Sequence, residues 1–141
     1  MTGSALPSVV NAAVDALAAD STLTTLLGSA KVYTFVPDNT TAPYVWVVGG
    51  REVPWGPTFG AASATGREVE VLVDVVSAYR GTSQVDSLAS QVITTLVAPG
   101  TWAGVTGWSH VAFSSIERPI REVVNGVVYV WRTCIVRVTV N

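Results

Sequence analysis

The sequence predicts an α+β fold, with an antiparallel or mixed sheet of about five strands and two main helices packed on one face. Three observations support this prediction. Apolar and polar side chains alternate through residues 67–79 with the period of a half-buried strand. Apolar side chains then recur at helical spacing through residues 83–96. The dipeptide Asn125-Gly126 marks a hairpin between two further strands. Hairpin-joined strands with helices on one side form a two-layer sandwich.

The N-terminal part of the chain is predicted to be helical and then extended. Apolar residues recur at helical spacing through residues 6–17, and Pro7 lies in the first turn, where proline is tolerated. A second short helical turn covers residues 21–27, and Gly28 ends it. Residues 31–36 and 44–48 read as strands, the second apolar on both faces, as in an interior strand.

Residues 49–66 are predicted to form a long loop. The segment holds five glycines and two prolines, and no hydrophobic period can be followed through it. It also contains Trp55 and Phe59, which a purely solvated linker has little use for. Long loops in compact domains usually carry a function, so Trp55 and Phe59 are candidate subunit-contact residues.

The C-terminal part is predicted to be mainly extended. Pro99-Gly100 ends the second main helix, and residues 109–117 and 120–124 read as one strand interrupted by Pro119. Residues 127–140 form a long final strand after the Asn125-Gly126 turn. The chain has five tryptophans. Two of them, Trp46 and Trp131, lie on strands and are predicted core residues. The loop tryptophans are predicted interface residues, because aromatic side chains are enriched at interfaces: Trp55, Trp102 and Trp108.

Composition limits the kind of protein this is. The 141 residues suit a single domain, and 49% of them are hydrophobic while only 13% are charged. Such a surface is short of charge, which favours a subunit with part of its apolar area covered by a partner. The net charge of −2 and the single lysine argue against a basic patch that grips nucleic-acid phosphates. One cysteine, no signal peptide and no membrane span indicate a reducing compartment and no membrane partner.

The residues predict no enzyme, no cofactor and no metal site. His110 is the only histidine and Cys134 the only cysteine, so neither a zinc set nor a catalytic pair can be assembled. Glu68 and Glu70 lie on one strand face with Cβ atoms roughly 6.5–7 Å apart, a spacing that glycosidases use. No cleft-forming pattern accompanies them. They are interpreted as a solvated sheet face, or as an acidic surface that meets a partner or a channel.

With this organisation in view, the chain resembles the tail-terminator, or tail-completion, family of long-tailed bacteriophages. Four passages carry the resemblance: the N-terminal helix with ALAADSTLTTLLGSAKVY, the strand APYVWVVGG, the strand and helix VEVLVDVVSAYRGTSQVDSLASQVITTL, and the closing hairpin. Together they cover nearly the whole chain, although each is a pattern and none is a catalytic signature.

The resemblance implies a homo-oligomeric ring, generally a hexamer, in the virion at the tail–head junction, made in the host bacterial cytoplasm. Its partners would be the tail-tube protein and the neck or head-completion protein, and DNA would pass through without specific binding. We expect Glu68, Glu70 and Asp74 to face the lumen or a neighbouring subunit, because like-signed walls let a polyanion slide. Arginines of the same chain beside these carboxylates would contradict the lumen interpretation.

Two alternatives remain open from the sequence. One is a neck adaptor or stopper ring at the head–tail junction, which belongs to the same assembly. The other is a soluble ligand-binding α+β domain, which would be a monomer or simple dimer with a defined pocket.

Overall fold

The computed structural model describes residues 4–55 and 66–141. Its helices and strands are α1 (Leu6–Ala19), α2 (Ser21–Leu27), β1 (Val32–Tyr33), β2 (Tyr44–Trp55), β3 (Gly66–Ser77), α3 (Ser83–Leu96), β4 (Trp108–Ile116), β5 (Ile120–Val124) and β6 (Val127–Val140), with a short 3-10 helix at Pro99–Trp102. The α+β class is confirmed, with six strands in the described residues where about five were expected, and the predicted short helix at residues 21–27 is α2. None of these helices is both long and apolar enough to cross a membrane.

The strands form one mixed sheet in the order β1-β2-β3-β6-β4. β1 runs parallel to β2, and the other pairs are antiparallel. Trp131 of β6 is paired with Val76 of β3 and with Ile120 of β5, so β5 lies on the same side of β6 as β4. The strand interrupted at Pro119 is therefore confirmed, because β4 and β5 follow one another along that side.

The two faces of the sheet differ in what covers them. On β3, the four valines of the predicted alternation are fully buried against the helices: Val69, Val71, Val73 and Val75. Residues opposite them on β6 complete the same surface, including Cys134 and Val136. The buried residues of α1, α2 and α3 belong to this single core. We call the opposite surface, which carries Glu68, Glu70, Leu72 and Asp74 and the residues paired with them, the open face.

Two carboxylates fix the helices to the rest of the fold. Glu52 of β2 accepts hydrogen bonds from the backbone N–H of Ala5 and the hydroxyl of Ser4, both at 2.7 Å, and so holds the start of α1. Asp20 caps α2 by accepting from the Thr22 N–H at 3.1 Å. Its other oxygen accepts from Gln91 at 2.7 Å and Thr95 at 2.6 Å, which ties α2 to α3.

The predicted loop at 49–66 is wrong over residues 49–55, because β2 continues to Trp55. The hydrophobic period is lost there because the register shifts between Val47 and Gly49, where Gly49 has a positive φ of 107°. Position 50 requires a glycine because the backbone of β3 lies very close to it. A Cβ at this position would lie 1.6 Å from the carbonyl oxygen of Glu70. The predicted strand at 31–36 is shorter than expected, at Val32–Tyr33.

The hairpin between β5 and β6 is confirmed. Asn125 and Gly126 both have positive φ, 50° and 80°, as the predicted two-residue turn requires. All five residues of β5 are exposed, and apolar side chains lie on both faces of the hairpin: Ile120, Val123, Val124 and Val127.

Candidate functional site: the open face and the edges of the sheet

The predicted site residues on β3 lie together on the open face. Glu68, Glu70 and Asp74 are half-buried, and the alternation of β3 directs all three away from the helices. The strand pairing sets their neighbours. Glu70 lies between Arg51 of β2 and Arg137 of β6.

The charges around Glu68 and Glu70 are balanced within the chain. Arg137 Nε lies 3.6 Å from Glu70 Oε2 and 3.8 Å from Glu68 Oε1, and Arg51 Nε lies 3.8 Å from Glu70 Oε1. Two arginines thus face two glutamates, so this row is neutral. The lumen interpretation of Glu68 and Glu70 as part of an acidic channel wall is contradicted, because a repulsive wall needs uncompensated charge. Contact with a neighbouring subunit stays a prediction.

Asp74 has no arginine beside it among the described ion pairs. Its Oδ1 accepts a hydrogen bond from the Thr133 hydroxyl at 2.6 Å. Burial raises the pKa of Asp74, and the hydrogen bond from Thr133 only partly offsets this effect. An ionised Asp74 is therefore a partly desolvated negative charge on the open face.

Four aromatic side chains surround Asp74. They form a groove of about 470 Å³, which we call the aromatic groove, with the lining residues Tyr44, Trp46, Asp74, Val76, Glu122, Val124, Tyr129 and Trp131. Trp46 is 37% exposed and Trp131 is half-buried. The prediction that these two tryptophans are core residues is therefore wrong. The sequence pattern shows that the strands carrying Trp46 and Trp131 are apolar, but it does not show which face of each strand the helices cover.

Among the predicted interface tryptophans, the prediction for Trp102 is wrong, and those for Trp55 and Trp108 stay predictions. Trp102 was predicted at an interface, but it is fully buried, and its indole N–H donates to the carbonyl of Leu96 at 2.6 Å. Trp108 opens β4 and is half-buried. Trp55 ends β2 with its backbone paired to Gly66. The side chain of Trp55 and the whole of Phe59 lie outside the part of the chain that the structure describes.

The groups with reactive potential lie apart. His110 is exposed on β4, opposite Thr139, while Cys134 is buried on the helix-covered face. Burial raises the pKa of Cys134 to about 12, so its thiol stays protonated. In residues 4–55 and 66–141, no three His, Cys, Asp or Glu side chains come close enough to hold a metal ion.

Within the described residues, the sheet has an unpaired edge on each side. β1 pairs with Val45 and Trp46 only, and no other described strand continues along β2 towards Trp55. On the other side, no described strand covers the outer edge of β4. Beside β4, a groove of about 460 Å³ lies against α3. Its lining residues include Ile93, Ile116 and Phe113, and Phe113 is 51% exposed. These apolar edges are surfaces that a partner can cover.

Comparisons with known proteins agree with this architecture. The family model described as tail completion protein gp17 matches residues 11–123. A chain in the structure of the virion of a native gene transfer agent particle has a similar fold, with a TM-score of 0.73 over 98% of each chain and 19% sequence identity. A search of curated protein sequences found no match.

Proposed function

The chain belongs to the tail completion protein gp17 family, and we propose that within the phage tail it acts as the tail terminator, as a ring that caps the tail tube. Membership of this family indicates a structural protein of the phage tail. The similar chain in a gene transfer agent virion supports a place in the particle. In this proposal the ring ends polymerisation of the tube at the tail–head junction, and DNA passes through it without specific binding.

The observation that carries the ring is a pair of edges, on opposite sides of one sheet, that no described strand covers. A ring needs heterologous contacts, in which one surface of a subunit complements a different surface of its neighbour. We propose that the β2 edge of one subunit meets the β4 edge and the groove beside α3 of the next. Exposed Val48 and Val53 on β2, and Phe113 on β4, provide apolar side chains for this contact.

A ring of about six copies is the expected assembly, with a tail-tube protein on one side and a neck or head-completion protein on the other. The neutral row of Glu68, Glu70, Arg51 and Arg137 fits a protein contact better than a DNA-repelling wall. We therefore do not assign the lumen to these residues. The family match supports the terminator over a ligand-binding monomer, and the neck adaptor is the alternative within the same assembly.

The length of the tails made by the phage whose genome encodes this chain tests the proposed function. Particles made without the chain should have tails of uncontrolled length, since nothing stops the tube from growing. The chain supplied in trans should restore uniform tails, and Phe113→Asp should not, because it places a charge in the proposed subunit contact. Thr22→Asp adds the same charge at the exposed start of α2 and should restore uniform tails. Normal tail length without the chain would contradict the proposal.

A further inference from the structure

The aromatic groove on the open face is built from three strands and a rim. Tyr44 and Trp46 come from β2, and Tyr129 and Trp131 come from β6. β3 lies between these two strands. Asp74 is paired with Trp46, and Val76 with both Tyr44 and Trp131, so the β3 side chains form the floor. Glu122 of β5 is paired with Tyr129 and lies at the rim.

Two of the four rings contact residues in or next to β1. The indole N–H of Trp46 donates to the carbonyl of Thr34 at 3.0 Å. The ring of Tyr44 packs edge-on against Tyr33, with centroids 6.4 Å apart and planes at 61°. A binding surface whose rings are already fixed loses little conformational entropy when a ligand binds.

The groove is negative, with no positive charge among its lining residues. It contains two carboxylates, Asp74 and Glu122, and no Lys, Arg or His. The described ion pairs of the chain involve other carboxylates: Glu68, Glu70 and Asp86. A cation in the groove would therefore compensate charges that the described part of the chain leaves uncompensated.

We propose that the aromatic groove binds an arginine side chain presented by a partner protein. A cation over aromatic faces is attracted by the ring quadrupoles, and Trp and Tyr are the strongest such rings. A guanidinium is planar, so it can stack on an indole while its N–H groups donate to Asp74. Lysine carries a compact, strongly hydrated charge with no plane to stack on the indole, so it should bind more weakly. The proposed function assigns no ligand to this face, and this inference does not depend on ring formation.

The test uses the full chain and the peptide Gly-Gly-Arg-Gly-Gly, with the citrulline and lysine peptides of the same length as controls. The arginine peptide should shift the indole N–H signals of Trp46 and Trp131 in a saturable way, and leave that of Trp102 in place. Citrulline has nearly the shape of arginine without its charge. We expect it to bind about tenfold more weakly, and lysine to fall between the two.

Variants locate the binding. Asp74→Asn keeps an acceptor for the Thr133 hydroxyl, so it should fold, and it should weaken binding of the arginine peptide about tenfold. Trp131→Leu should weaken it as well, while Glu117→Gln, an exposed carboxylate outside the groove, should not. An unchanged Trp102 indole signal shows that each variant is folded.

Three results would overturn the proposal. The first is equal binding of the arginine and citrulline peptides, or no binding of either. The second is arginine binding that Asp74→Asn leaves unchanged. The third is a concentration-dependent self-association that fills the groove with an apolar segment of a second copy and excludes the arginine peptide.

Discussion

Glu70 and Arg137 lie directly opposite each other on β3 and β6, with Glu70 Oε2 3.6 Å from Arg137 Nε. Arg137 also lies 3.8 Å from Glu68. The negative charges of Glu68 and Glu70 are thus balanced by arginines on the neighbouring strands. Asp74 and Glu122 in the aromatic groove differ from this row, because no Lys, Arg or His lies among the residues that line the groove.

Replacement of Glu70 by Gln should change stability little. The arginines beside Glu70 are at least half exposed, and such ion pairs contribute about 0.2–1 kcal/mol. We expect the free energy of unfolding in urea to fall by less than about 1 kcal/mol, and the difference to shrink further at high salt. A loss well above this range that survives high salt would show that Glu70 carries a structural role beyond the pair.

Replacement of Asp20 by Ala should destabilise the fold by about 2 kcal/mol, because it removes a helix cap and two charge-assisted hydrogen bonds. Urea unfolding at neutral pH measures this loss. Asp15→Ala, at an exposed position of α1, is the control and should change the free energy of unfolding by less than about 0.5 kcal/mol.

The contribution of Asp20 should also depend on pH. Burial opposes its ionisation, but hydrogen bonds from Thr95, Gln91 and two backbone N–H groups outweigh burial and lower its pKa. Its stabilisation is therefore present above the unfolded value and is lost as the pH falls through the folded value. The gap between wild type and Asp20→Ala should close in acid, and a gap that is constant with pH would contradict this account.

Asp74→Asn should have the opposite pH dependence. Burial raises the pKa of Asp74 above its ordinary value of 3.8, so ionisation penalises the folded state once the pH passes that value. Relative to wild type, the variant should be more stable at about pH 7 than at about pH 3. Urea unfolding at both values measures the change, with Glu117→Gln as the control for loss of one negative charge. A stability of Asp74→Asn relative to wild type that falls with rising pH would contradict a raised pKa of Asp74.

Cys134 should resist thiol reagents while the protein is folded. Its side chain is fully buried, and burial raises its pKa to about 12, so neither access nor thiolate is available. A chromogenic disulfide reagent at neutral pH should react at least about a hundredfold faster in urea than in native buffer. Rapid reaction of the native protein would show that the core opens at β6.

Strong local patterns allowed much of the fold to be predicted. The alternation of β3 and the apolar stripe of α3 were identified because one face of each is covered throughout. The Asn125-Gly126 turn was identified because its backbone conformation restricts the residues it accepts. The predicted strand at residues 44–48 is shorter than β2, because the bulge at Gly49 shifts the alternation partway along the strand.

The site was harder to predict because it depends on which strands become neighbours. Glu68 and Glu70 were correctly placed on one face, yet the pairing of β3 with β6, which brings Arg137 beside them, joins residues far apart in the chain. The aromatic groove was missed for the same reason. Trp46 and Trp131 lie on strands that β3 separates, and nothing local indicates that they share an uncovered face.

The central claim, that the chain caps the tail tube as a ring, is tested most directly by electron cryomicroscopy of tail tubes incubated with the purified chain. We predict a single ring of about six copies at one end of each tube, with the β2 edge of one subunit against the β4 edge of the next. Tubes with bare ends, or the chain bound as separate monomers along the tube wall, would contradict it.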